Sequence, residues 1–169
     1  MTIDEALVTA LELEHRVRDH FRRAADQTPE PEARRFFELM AREEEGHVAY
    51  LEAKLDQWRQ TGALGATELN TAVPSRDWLA EGRVSLQAQA AGLPGPSPRQ
   101  HLFTALELEH QVSEFYRRLV ASVDHPEAEE LFRRFLEIED GHTALVQAEI
   151  DYETHTGNFF DVQEFTLDG

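Results

Sequence analysis

Two Glu-x-x-His motifs, Glu44-x-x-His47 and Glu139-x-x-His142, lie 95 positions apart in a chain of 169 residues. On a helix, residues at i and i+3 share one face, so each motif can offer a carboxylate and an imidazole in the same direction. Two more glutamates, Glu14 and Glu109, sit inside a heptad, TALELEH, that occurs at Thr9 to His15 and again at Thr104 to His110. All six residues interrupt apolar rows of helical period, where a lone ionised carboxylate is too costly to persist unless paired, neutralised or bound to a metal. One Glu from each of two helices with a Glu-x-x-His from each of two others is the ligand set of a dinuclear carboxylate site in a helical bundle. Four carboxylates balance two divalent ions. Oxygen donors with imidazole suit two ions of iron or manganese, or a mixed iron/manganese pair. The chain has no cysteine, which removes thiolate nucleophiles and sulfur-ligated clusters. The rival reading of the same residues is a buried salt-bridge network that serves packing alone.

Four long elements must position these groups. Apolar residues at spacings of three and four, such as Ile3, Leu7, Ala10, Val17 and Phe21, predict helices over about 3–25, 31–60, 98–122 and 126–155. A shift of 95 superposes Thr2 and Glu5 on Ser97 and Gln100, both of capping-box form, and Pro31-Glu32-Ala33 on Pro126-Glu127-Ala128, without a gap. The chain is therefore expected to be one domain, 1–169: a hairpin repeat (1–60), a crossover (61–97), a second hairpin repeat (98–155) and a C-terminal arm (156–169). The short turns at 26–30 and 121–125 make each pair antiparallel, whereas a long crossover lets the second and third helices run parallel about a pseudo-twofold axis. Within the crossover, a short helix or two is expected between Ser75 and Ala91, ended by Gly92 and Pro94. Phe159, Phe160 and Phe165 suit an arm packed on the surface rather than a free acidic tail.

Charge narrows the partners. The formal charge is -17, from 33 acidic and 16 basic residues, a field that repels nucleic acid and anionic lipid and attracts cations. The N-terminal stretch carries acids where a secretion signal has its basic region, and no apolar run reaches the roughly 20 residues of a membrane span. No nucleic acid and no membrane are expected, and the cytoplasm is the expected location. Among neighbours of the six, Glu12 and Glu107 should face solvent. His15 and His110 suit either a hydrogen bond behind the ligands or packing at the surface. Tyr116 could act at the site, by a hydrogen bond or as an electron donor, or could be a core tyrosine satisfied elsewhere; Phe21 holds the equivalent place without a hydroxyl.

The four main helices resemble the ferritin-like di-iron proteins, and within them the rubrerythrin-like branch. The marks are Ala10-x-x-x-Glu14 followed by Phe21, Ala105-x-x-x-Glu109 followed by Tyr116, and the two Glu-x-x-His motifs. The resemblance implies an all-α, ferritin-like four-helix bundle with one long crossover. It also implies bridging roles for Glu44 and Glu139, terminal roles for Glu14 and Glu109, and imidazole ligation by His47 and His142. Members of the group oxidise ferrous iron with dioxygen or peroxide, and rubrerythrins reduce hydrogen peroxide to water. Two departures stand out: rubrerythrins commonly append a cysteine-ligated rubredoxin-type domain, and they carry an additional glutamate where this chain has Val112. The expectation is a peroxidase or ferroxidase without a rubredoxin domain, using hydrogen peroxide or dioxygen, served by an external electron donor, and homodimeric. The alternatives are a non-catalytic iron or manganese binding or storage module, and a purely structural bundle.

Overall fold

The structure, a computed structural model, describes residues 1–82 and 98–160. Five helices follow one another: α1 (Ile3–Gln27), α2 (Pro31–Thr61), α3 (Arg76–Gly82), α4 (Pro98–Ser122) and α5 (Pro126–Thr156), with no strand among the described residues. The four long helices end within two residues of the bounds predicted from periodicity, and a shift of 95 carries α1 onto α4 and α2 onto α5 end for end. Local signals explain the ends. Thr2 and Glu5 form a reciprocal capping box at the start of α1, and Pro31 and Pro126 open α2 and α5, where the missing N–H removes no helical bond. Gly62 and Gly157 close those helices in left-handed conformation, at φ 71° and 72°. Ser97, half of the second expected capping box, lies outside the described residues. So does most of the predicted helical stretch between Ser75 and Ala91, of which α3 is the described part.

Contacts between helix ends fix the topology. Arg59 on α2 forks onto Asp4 on α1 at 2.7 and 3.0 Å, and Arg99 on α4 meets Glu153 on α5 at 2.6 Å, so each hairpin is antiparallel. The end of α1 meets the start of α4, with His20 Nε2 2.8 Å from the carbonyl of His101. Trp58, near the end of α2, packs edge-on against His125 just before α5. Consequently α2 and α4 run in the same direction, the arrangement a long crossover permits. Phe36, Phe37, Phe132 and Phe135 are fully buried between the hairpins, and each contributes about 1.5–3 kcal/mol through removal from water.

The first part of the crossover is a strap that returns along α2 and α5. Lys54 Nζ donates to the carbonyls of Leu64 and Ala66 at 2.6 and 2.7 Å, while Glu127 accepts the N–H groups of Leu64 and Gly65. Farther on, Tyr50 Oη accepts from the Glu68 amide, Arg134 donates to the Leu69 carbonyl, and Glu43 accepts from Thr71 and Ala72. Past α5, Phe159 and Phe160 lie against Phe36, and the Phe160 amide donates to the buried Glu149 at 3.2 Å. Phe165 lies outside the described residues.

The strap breaks the symmetry at one glycine pair. A Cβ at Gly141 would stand 3.3 Å from the Pro74 carbonyl, whereas one at its repeat partner Gly46 would meet nothing within 4 Å. Glycine inside a helix loses roughly 0.8–1 kcal/mol relative to alanine. Gly46→Ala should therefore raise the unfolding free energy by about that amount, and Gly141→Ala should gain less or lose stability as the strap is pushed away. Chemical denaturation of the two variants checks it; equal gains would contradict the close approach.

Candidate metal centre

All six glutamate and histidine positions are buried, none more than 1% exposed. Each lies mid-helix on the face turned toward the opposite hairpin, because the apolar rows that carry them are the rows the bundle buries. The closest group comprises Glu44, His47, Glu139 and His142, each offering one ligand atom, all within 4.8 Å of one another. The contacts cross between the repeats: His142 Nδ1 is 2.8 Å from Glu44 Oε1, and His47 Nδ1 is 2.9 Å from Glu139 Oε1. The two imidazoles stack, centroids 5.1 Å apart and planes 5° from parallel. Glu14 joins through His47 Nδ1 at 3.3 Å. Glu109 makes no such contact, but its carboxyl titrates under the influence of Glu44, His142 and Glu139.

These distances are short, yet most of the pairs are not hydrogen bonds. Both oxygens of Glu44, Glu109 and Glu139 and both ring nitrogens of His142 lack an aligned partner. Buried polar atoms are otherwise nearly always satisfied. Ligand atoms that converge at ion-pair distance with few well-aligned hydrogen bonds among them suit a shared cation, and the oxygen and imidazole set suits a hard or borderline metal ion. The residues present thus fit a metal site.

The electrostatics of the metal-free cluster are self-consistent. Burial, reinforced by Glu139 for Glu14 and by Glu44 for Glu109, raises both of those carboxyls well above the ordinary carboxylate range. Burial acts the same way on Glu44 and Glu139, but His142 and His47 outweigh it and hold both low. The rings themselves, which burial would push down, are held well above the usual histidine value by Glu44 and Glu139. Raised carboxyls favour the neutral form and raised rings the charged form, so the shifts together move the cluster toward zero net charge, the state a closed interior tolerates.

Tyr116 belongs to this site: its Oη donates to Glu14 Oε1 at 2.6 Å, reaching from α4 to α1. Its ring stacks on Phe135, centroids 5.0 Å apart. Phe21, its repeat partner, brings no hydroxyl, and neither oxygen of Glu109 receives a hydrogen bond. Tyr116→Phe should cost about 1–3 kcal/mol by stranding a buried acceptor, read as a fall in the thermal midpoint; an unchanged midpoint would mean the bond is not formed in solution. Glu12 and Glu107 face solvent, while His15 is half-buried and His110 exposed. Sequence reasoning missed Glu43, whose Oε2 stands 3.9 Å from His142 Nε2. Its signal was weak, since it lies one position off the ligand row among three consecutive glutamates.

The Rubrerythrin family model matches residues 5–150, a span that contains all six residues. Neither a curated protein nor a solved structure matches the chain.

Proposed function

Since the chain belongs to the rubrerythrin family, we propose that it is a di-iron oxidoreductase that oxidises ferrous iron, reduces hydrogen peroxide, or does both in turn. The observation that carries this reading is the buried cluster of Glu44, His47, Glu139 and His142, whose ligand atoms lie within 4.8 Å of one another, with the buried Glu14 and Glu109 on the two other helices. In it, Glu14, Glu44, His47, Glu109, Glu139 and His142 would hold the ions, and manganese is an alternative occupant. When bound, a ferrous pair would supply two electrons, one from each ion as it becomes ferric, enough to take hydrogen peroxide and two protons to two waters or dioxygen and two protons to hydrogen peroxide. The chain's own groups hold the positions and manage protons. Glu14 and Tyr116 keep a proton between Oε1 and Oη at 2.6 Å, and Phe132 and Phe135, both fully buried, exclude bulk water beside them. An external donor is proposed for the return electrons. The proposed setting is the cytoplasm, as a homodimer, with no membrane or nucleic acid partner; no described helix is long and apolar enough to cross a membrane.

One observation favours a second reading, an iron or manganese binding and storage module without turnover. Val112, buried beside the site row on α4, stands where rubrerythrins resemble one another in carrying an additional glutamate. Anaerobic titration with ferrous iron, followed by a stoichiometric pulse of peroxide, separates the readings. Two irons per chain, prompt ferric absorption and repeated cycling after reduction are expected. Uptake with no response to peroxide supports storage, and no uptake removes both.

A further inference from the structure

We propose that Glu43 couples the crossover strap to the metal centre through His142, an inference that rests on the metal-binding reading above. His142 turns Nδ1 toward Glu44 and Glu139, at 2.8 and 3.6 Å. Its other ring nitrogen, Nε2, is buried without a hydrogen-bond partner, and the Glu43 carboxylate lies 3.9 Å from it. An imidazole that ligates through one nitrogen keeps N–H on the other, and that N–H is commonly oriented by a carboxylate, which fixes the tautomer and ring plane. The pair stands at ion-pair distance.

Glu43 is in turn held by the strap. Its Oε2 accepts from Thr71 Oγ1 at 2.5 Å, and both oxygens accept from the Ala72 amide at 3.1 to 3.2 Å. Two residues later the Pro74 carbonyl passes Gly141, the neighbour of His142. The strap therefore touches the His142 half of the site twice. Among the described residues the His47 half has no counterpart: the residue matching Glu43 under the repeat is Ile138, and His47 Nε2 is left without a partner there. A strap held by the same carboxylate that orients a ligand must be stabilised by the metal to the degree that it stabilises metal binding, because linkage is reciprocal.

The test uses Mn(II) alone with the full chain, measuring its affinity by titration and the hydrogen exchange of the strap amides with and without the ion. Glu43→Gln should weaken Mn(II) binding roughly 10- to 100-fold, the range for loss of a group behind a metal ligand. Thr71→Val, a milder change outside the charged cluster, should weaken it in the same direction by a smaller factor. In the unaltered protein Mn(II) should slow exchange at Ala72, and in Glu43→Gln it should not. Mn(II) binding with unchanged affinity in both variants, or strap exchange indifferent to the ion, overturns the coupling and leaves the metal site standing. No Mn(II) binding by the unaltered protein overturns the metal reading and the coupling with it.

Discussion

Saturating the metal-free protein with Mn(II) at neutral pH is expected to raise its thermal midpoint by roughly 10–20 °C and to release up to four protons per chain. Each ion at about 100 times its dissociation constant stabilises by about 2.7 kcal/mol, so two give about 5 kcal/mol, and a chain of this size shifts roughly 2–4 °C per kcal/mol. The protons follow from the titration directions: one each from the carboxyls of Glu14 and Glu109 and one each from the rings of His47 and His142, all four held above their ordinary values. Ligands must be deprotonated, so metal affinity falls as pH falls. In the metal-free protein the sign is opposite for these four groups. Raised folded values contribute stability that is present below the unfolded values and lost as pH rises through the folded ones. Glu44 and Glu139, held low, contribute stability above their unfolded values and lose it in acid. The gap in midpoint between loaded and free protein should therefore widen from pH 6 to pH 8. Calorimetry in buffers of different ionisation enthalpy counts the protons; a gap independent of pH, with fewer than two protons released, would contradict the charge assignment.

Much of this site was legible because it repeats. The 95-residue shift aligned caps, prolines and polar intruders together, and amphipathic period alone placed the helix ends, since each helix buries the face its apolar row defines. What escaped was whatever one repeat has and the other lacks. Tyr116 was expected as a residue that could hydrogen-bond at the site, but its partner, Glu14 on the other hairpin, is encoded in no local pattern. The strap's course depends on single hydrogen bonds to Lys54, Glu127, Tyr50 and Glu43 from a stretch with no periodicity. Glu149 was overlooked as well. It is buried on α5 and holds the Phe160 amide, while its repeat partner Lys54 holds the Leu64 carbonyl on the other hairpin. A charged residue inside an apolar row at both matching positions was the signal available. Opposite charge at equivalent positions hid it, because the two residues do the same work with inverted hydrogen-bond polarity.

Replacing Glu109 by methionine should stabilise the metal-free protein while removing high-affinity uptake of the second ion. Its carboxyl is fully buried and neither oxygen has a well-aligned partner, with Glu139 its hydrogen-bonding neighbour, so the folded chain carries much of the desolvation penalty of a poorly satisfied polar group, about 1–3 kcal/mol. An apolar side chain of similar length relieves that penalty without opening a cavity. Glu44→Ala should do the reverse. Glu44 lies 2.8 Å from His142 and 3.2 Å from His47, and its loss leaves buried imidazolium charge uncompensated, costing about 3–5 kcal/mol in the metal-free state. Both variants should lose metal, so denaturant unfolding with and without Mn(II) separates stability from binding. A bundle that kept polar residues only for packing would have little reason to retain Glu109 in particular, since neither of its oxygens has a well-aligned hydrogen bond. Destabilisation by Glu109→Met in the metal-free protein would point to such a packing role. Stabilisation, together with weakened binding, identifies Glu109 as a group the fold tolerates because a metal ion uses it.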